Sequence, residues 1–146
     1  WAEYYQSLRR CQVANYGPDD LVISCDDSGG TPRPITSYIR PIGGFKIEQL
    51  LQESHSFGDT WFESLLVGIQ RGQDLTLGGL YDDAATTGPD VVFKTMTGSR
   101  TVVLTWGSTK TSTFEAWVIS YERLGRLNEL TMFEVVLRPT GSVVEA

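Results

Sequence analysis

The 146-residue sequence is poor in the groups from which most catalytic and metal sites are built. It has two cysteines, Cys11 and Cys25, and one histidine, His55. Thiols this far apart make no C-x-x-C pair and too small a ligand set for a metal cluster. Both are expected to be buried or idle thiols in a reducing compartment. No run of about 18 apolar residues occurs, so no membrane-spanning helix is expected, and the first residues lack the apolar stretch of a signal peptide. Basic charge is also scarce: 12 Lys and Arg against 18 Asp and Glu leave a net charge of −6. A protein that grips nucleic acid through its phosphates presents a basic face. The only adjacent basic pair, Arg9-Arg10, reads as a solvated or subunit-contacting face. The charge balance disfavours holding DNA but leaves sliding past it open.

The candidate chemical groupings are weak. His55 lies in Glu53-Ser54-His55-Ser56-Phe57-Gly58-Asp59. A triad from Ser54 or Ser56 with His55 and Asp59 would need sequence neighbours to adopt triad geometry, and no G-x-S-x-G elbow is present. His55 is expected to bond a backbone group. The pairs Asp26-Asp27 and Asp82-Asp83 lack the D-x-[DN]-x-[DN]-G spacing of a calcium loop and read as turn-capping carboxylates. Glu53 with Asp59 or Asp82 would form a glycosidase pair only at a separation that sequence does not show. Gly43-Gly44 and Gly78-Gly79 lie in β context, not between a strand and a helix as a phosphate loop requires. No catalytic residue, metal ligand or cofactor is expected, and the chain is not read as an enzyme.

Core-forming material, in contrast, is plentiful: 40% hydrophobic residues, with four Trp, six Tyr and six Phe. Strands are expected at Leu21–Cys25, Ile35–Ile39, Phe45–Leu51, Asp74–Tyr81, Arg100–Trp106, Thr113–Arg123 and Leu130–Arg138. Asp26 to Gly30, Gly107-Ser108 and Gly125 to Asn128 carry turn chemistry, while Pro32, Pro34 and Pro41 confine their neighbourhood to a sheet edge. One good helix is predicted over Thr60–Gln70. Trp61, Phe62, Leu65, Leu66 and Ile69 share a helical face, Thr60-x-x-Glu63 is a capping-box pattern, Asp59 suits the positive helix end, and Gly72 suits the C-cap. Asp90–Met96 reads as one or two further helical turns after the loop Asp82–Pro89. Trp61, Trp106 and Trp117 sit in apolar rhythms that suit a core better than a sugar-stacking surface. The fold class is mainly β, a β-sandwich or barrel with one packed α-helix. Residues 14–146 read as a single domain. Residues 1–13, with Trp1, Tyr4, Tyr5 and Leu8 at helical spacing, read as an N-terminal arm ordering against a neighbour or as residue upstream of the natural start.

Several passages, in one order, carry a resemblance over most of the chain. They are ANYGPDDLVI before the DDSGG turn; the ES-H-x-FGD-x-W passage with Phe57, Gly58, Asp59 and Trp61; LTLGGLYDD with Gly78, Gly79, Tyr81, Asp82 and Asp83; Gly88-Pro89; and the closing strand running into Pro139 and Gly141. Together they resemble the tail tube (major tail) proteins of siphophages and gene-transfer particles, whose chains commonly start near Ala14. The resemblance implies a β-domain flanked by a helix that closes into hexameric rings, stacked into a hollow tail tube. It also implies a structural virion protein without enzymatic activity, located in the tail and assembled in the host bacterial cytoplasm. The implied partners are the protein itself, a tape-measure protein in the lumen, and tail terminator and distal tail proteins at the ends; DNA passes through without specific binding. Trp1, Tyr4, Tyr5, Leu8, Asp82 and Asp83 are the candidate inter-subunit residues, and Tyr16 suits a buried junction. Six copies would carry about −36, which repels phosphates if part of it lines the lumen. The alternatives are the tube of a contractile tail or type VI-like machine, and a monomeric β-sandwich binding module.

Overall fold

A computed structural model describes Gly17 and residues 20–146. The expectations placed on Trp1, Tyr4, Tyr5, Leu8, Arg9-Arg10, Cys11 and Tyr16 lie outside the described residues. The elements are β1 (Val22–Asp26), β2 (Pro32–Pro34), β3 (Ile39–Ile42), β4 (Ile47–Ser54), β5 (Glu63–Gly72), β6 (Leu75–Leu80), α1 (Pro89–Phe93), β7 (Arg100–Trp106), β8 (Lys110–Leu124), β9 (Met132–Pro139) and β10 (Val144–Glu145). The strongest strands are those whose side chains alternate between two environments. Leu75 and Leu77 of β6, Val102 and Leu104 of β7, Phe114, Ala116 and Val118 of β8, and Phe133, Val135 and Leu137 of β9 all turn inward to one core. Cys25 joins them; burial pushes its thiol up to about 12, leaving it protonated and inert near neutrality.

These strands form one antiparallel sheet in the order β2-β1-β7-β8-β9-β6-β3, with β10 added beside β8. β2 and β3 are its opposite edges, yet residues 35–38 alone separate them in sequence. Such a link spans at most about 18 Å, so the sheet curls until its edges approach. They do not pair with each other, so the sheet is curled but open and the barrel alternative is not realised. Pro32, Pro34 and Pro41 occupy these edges as expected. The strand expected at Ile35–Ile39 does not form. Ile35 is instead fully buried in a turn, its N–H donating to the Ile23 carbonyl at 3.1 Å and its carbonyl accepting from Tyr38 N–H at 3.1 Å.

The helix that packs on this sheet is α1, within the stretch expected to make a helical turn. Pro89 begins it after an extended Gly88. Val92 and Phe93 are fully buried, with the Phe93 ring 6.1 Å from Phe133 and 6.2 Å from Tyr121. Two polar fastenings hold it. At its start, one Asp90 carboxylate oxygen accepts from the Tyr121 hydroxyl (2.9 Å), Arg123 Nε (2.8 Å) and Arg123 Nη2 (2.6 Å). At its end, Arg100, 1% exposed, donates to the carbonyls of Val92 and Thr95 and, at 3.0 Å, to that of Asp26. The helix's last carbonyls have no partner within the helix, and a cation there also faces the negative end of its dipole.

Asp90 gives the fold an acid sensitivity. Burial alone would raise its pKa, but the hydrogen bonds from Arg123 and then Tyr121 outweigh it and hold the carboxyl below its ordinary value. Asp27 is lowered chiefly by the Thr31 N–H, and Asp74 by Arg138. An unfolded Asp titrates at about 3.9. A group whose folded pKa lies lower stabilises the fold fully above that value and loses its contribution as pH falls through the folded pKa. Asp90→Asn should therefore be less stable than the parent at neutral pH and lose less on acidification from about pH 4 to about pH 2. Urea midpoints measured across that range check this; parallel curves would exclude the assignment to Asp90.

The helix predicted over Thr60–Gln70 is absent. Residues 60–62 close a loop, and the rest belongs to β5, which pairs with β4 from Ile47↔Gly72 to Ser54↔Glu63. The ladder explains why. It starts within the sheet, at Ile39↔Gly79 and Ile42↔Leu77. It continues through Gly43 N–H to the Thr76 carbonyl (2.7 Å) and Gln73 N–H to the Lys46 carbonyl (2.8 Å), then passes into β4–β5. A helix at 60–70 would break this ladder halfway and leave β4 unpaired. The presumed capping residues do other things: the Asp59 carboxylate accepts from Ser56 N–H at 2.5 Å, and a Cβ on Gly72 would lie 2.9 Å from the Pro139 ring. The core placement of the tryptophans is likewise corrected, since Trp61 is 83%, Trp106 37% and Trp117 47% exposed.

Candidate assembly surface

Beyond the sheet's end, the long ladder continues as a two-stranded ribbon, and nearly every residue of β4 and β5 is exposed. Adjacent residues on a strand face opposite sides, so the run Leu65-Leu66-Val67 makes both faces apolar. Leu51 and Leu66, paired across the strands, are 64% and 59% exposed. Midway the register slips: between the pairs Gln49↔Gln70 and Leu51↔Leu66, Val67, Gly68 and Ile69 stand opposite the single Leu50. Gly68 takes φ +82° there, a left-handed conformation suited to glycine, and such a bulge bends and twists the ribbon. At the base Glu48 meets Lys46 (2.5 Å) and Arg71 (3.8 Å), while Glu53, Asp59 and Glu63 lie at the far end. The Glu48 carboxyl is held below its ordinary value, first by the Lys46 hydrogen bond.

The ES-H-x-FGD-x-W passage forms the ribbon's end. Ser54 closes β4, a turn held by Asp59 N–H on the Ser56 carbonyl (3.1 Å) reverses the chain, and Gly58 adopts φ +101°. Phe57, Trp61 and Phe62 are all strongly exposed. His55 packs edge-on against Phe62 with ring centroids 4.9 Å apart, and its ring bonds no backbone group among the described residues. Asp59 is committed to the Ser56 backbone, so these residues build a turn. The arrangement offers aromatic surface.

The other motif residues lie in the body and shape it. Gly78 and Gly79 lie where β3 pairs closely alongside β6. A Cβ on Gly79 would fall inside contact distance of the Tyr38 carbonyl, and one on Gly78 would lie 3.1 Å from the Pro41 ring. Tyr81 N–H donates to the Thr131 carbonyl (3.0 Å). Asp82 caps its own loop by accepting from Ala84 N–H (2.9 Å), and a Cβ on Gly88 would lie 2.6 Å from the Asp82 carbonyl. Asp83 follows in the same loop, Pro89 opens α1, and Pro139 packs on Gly72, while Gly141 lies in open space. Asp27 fulfils the turn-capping role, accepting from Gly29 N–H (2.9 Å) and Thr31 N–H (3.0 Å). The structure thus gathers Phe57, Gly58, Asp59 and Trp61 at the ribbon tip and leaves the rest apart from them. The surface residues missed from sequence are Leu51, Leu65, Leu66, Val67 and Ile69. Three successive apolar residues with an apolar partner strand are the signal that could have found them.

An isolated two-stranded ribbon is marginal in water, and exposed apolar area on this scale marks an interaction surface. Among solved structures, the fold is shared with a chain from the virion of a native gene transfer agent particle: TM-score 0.70, 16% identity, covering 91% of this chain and 99% of that one. A chain in the six-fold symmetrised baseplate of the anti-feeding prophage matches with TM-score 0.68 at 13% identity, over 92% and 96% of the two chains. A chain in the tail of an empty gene transfer agent particle, refined helically with C6 symmetry, matches with TM-score 0.66 at 17% identity, over 91% and 99%. At these identities the likeness is one of fold. No protein-family model and no curated protein sequence matches the chain.

Proposed function

We propose that this chain is a structural subunit of a phage-like tail, and within the tail the repeating subunit of its tube. The observation that carries this is the ribbon: two unguarded strand edges and two apolar faces on a body whose own sheet edges are blocked by proline. Ribbons of neighbouring copies pair edge to edge, and a ring of six closes the series so that no edge is left over. Rings then stack, because a contact between unlike surfaces repeats without closing. The shared fold with chains of six-fold and helically refined tail particles supports the same reading. With −6 per copy, the wall repels phosphates and lets the genome slide past during ejection. A tape-measure protein fills the lumen beforehand, and terminator and distal tail proteins close the ends.

Negative-stain electron microscopy of the concentrated protein, with and without residues 1–13, tests this. Long hollow striated tubes are the expected result, and their loss on truncation alone would assign residues 1–13 to stacking. The likeness to a baseplate chain favours a second reading, an adaptor ring at a tail's end; six-fold rings that never stack would select it. A monodisperse monomer at every concentration would overturn both and favour a binding module.

A further inference from the structure

We propose that β10 is a guard strand: it occupies a stretch of β8 that would otherwise pair with the same stretch of a second copy, and its loss sends the subunit into a closed two-fold dimer. β8 has 15 residues, more than its neighbours cover. β7 lies along one side of it from Lys110 to Ala116, and β9 along the other from Ala116 to Leu124. Among the described residues, the β9 side of Lys110 to Glu115 is left to β10 and the residues flanking it. Val144 lies opposite Thr113 and Glu145 opposite Ser112. Thr111 and Ala146 exchange two N–H to carbonyl bonds of 2.9 Å, and Thr140 N–H reaches the Glu115 carbonyl at 2.9 Å. The edge strands β2 and β3 carry Pro32, Pro34 and Pro41 and need no such cover.

The pairing pattern says what would fill the edge if β10 left it. Thr111 turns its N–H and carbonyl toward Ala146, so alternation turns those of Thr113 to the same side and those of Ser112 to β7. A two-fold axis through Ser112 sets Thr111 of each copy opposite Thr113 of the other. The two copies then exchange the bonds that β10 now takes. Thr111, Thr113 and Phe114 are strand-forming residues. The charged residues at the ends of the stretch, Lys110 and Glu115, differ in sign, and in this register Lys110 faces Phe114, not its own kind. Such a contact is self-complementary and closes at two copies, so it withdraws subunits from any assembly that propagates. β10 prevents it with two residues, too short an edge to recruit a strand in turn. A side-chain relay fastens it there. The Glu145 carboxylate accepts from the Ser112 hydroxyl at 2.8 Å, and that oxygen, on a residue 1% exposed, accepts from the Trp106 indole N–H at 2.9 Å.

The test compares the full chain, a chain ending at Val143, and that truncation carrying Thr111→Pro, by sedimentation below the concentration at which the parent assembles. The truncated chain should dimerise at a concentration at least about tenfold lower than the parent. Thr111→Pro removes an N–H from the exposed edge and none from the ladder with β7, and should return the truncated chain to monomer. Glu145→Ala keeps the backbone of β10 and frees only the Ser112 hydroxyl, so its dimer should appear at an intermediate concentration. A truncated chain that stays monomeric, or dimers that survive Thr111→Pro, would overturn the guarding of β8. A truncated chain that loses its cooperative melting transition would overturn it too, since β10 would then belong to the fold. None of these readouts depends on tubes, so the tube reading stands or falls separately.

Discussion

Replacing Arg100 with Met is expected to cost at least about 3 kcal/mol, a large share of the roughly 5–15 kcal/mol that a domain has. Buried cations are often replaceable by apolar side chains when their partners are replaced with them. Arg100's partners are the backbone carbonyls of Asp26, Val92 and Thr95, which no side-chain change removes. Each carbonyl left buried and unpaired costs about 1–3 kcal/mol. The same side chain joins β7 to β1 and to the end of α1, so its loss also frees the helix that covers Phe133 and Tyr121. Urea unfolding followed by tryptophan fluorescence should show the midpoint falling by about 1 M or more, given slopes of about 1–3 kcal/mol per M. Arg100→Lys, with one ammonium in place of a fork, should recover only part of this. A Met variant within about 0.5 kcal/mol of the parent would mean that water or a backbone shift satisfies these carbonyls.

Removing the ribbon should do the reverse, sparing the fold and abolishing assembly. Ile47 and Gly72 are directly paired, so residues 48–71 can be replaced by Asn-Gly, the sequence preferred for a two-residue hairpin turn. No residue from 48–71 belongs to the core or to the partly buried shell around it. The shorter loop also closes at lower entropic cost. The truncated chain should therefore unfold within a few degrees of the parent while the concentration needed to assemble rises by about a thousandfold or more, the equivalent of about 4 kcal/mol. Calorimetry and sedimentation read the two effects separately. Collapse of the melting transition would show that the ribbon supports the body, and undiminished assembly would move the interface elsewhere.

Alternation made β6 through β9 legible in the sequence. Leu75–Leu77, Val102–Leu104, Phe114–Val118 and Phe133–Leu137 each face a one-sided core, and a one-sided core imposes a two-residue period. Their expected boundaries lie within a few residues of those observed, apart from the end of β8 next to the turn at Gly107. The ribbon broke the reading because neither of its faces meets a core. Its apolar residues crowd both sides, and Trp61, Phe62, Leu65, Leu66 and Ile69 happened to fall at helical spacing as well. Only the ladder from β3 to β6, a pairing between distant residues, decides for strand. The exposed tryptophans misled for the same reason: an apolar rhythm does not say whether the surface that covers it belongs to the same chain. Arg100 and Asp90 carried no signal, since a polar residue reads as outward-facing until its partner is found: for Arg100 of β7 the end of α1, for Asp90 of α1 the Tyr121 and Arg123 side chains of β8.

The ladder that runs from Ile39↔Gly79 out into β4 and β5, with register shifts at Ile39–Ile42 and Gln49–Leu51, also determines how load would travel. Tension along the ribbon enters β3 and β6 parallel to their length. β6 is bonded to β9 across six consecutive pairs, and with force along the strands these bonds must slide together before any one gives way. A ribbon attached at a right angle to the sheet would let them open singly, like a zip. Strain from a bending filament would thus be carried into the curled sheet as a whole, and the weaker element would be the bulge at Gly68, where the ribbon can flex without loosening its root.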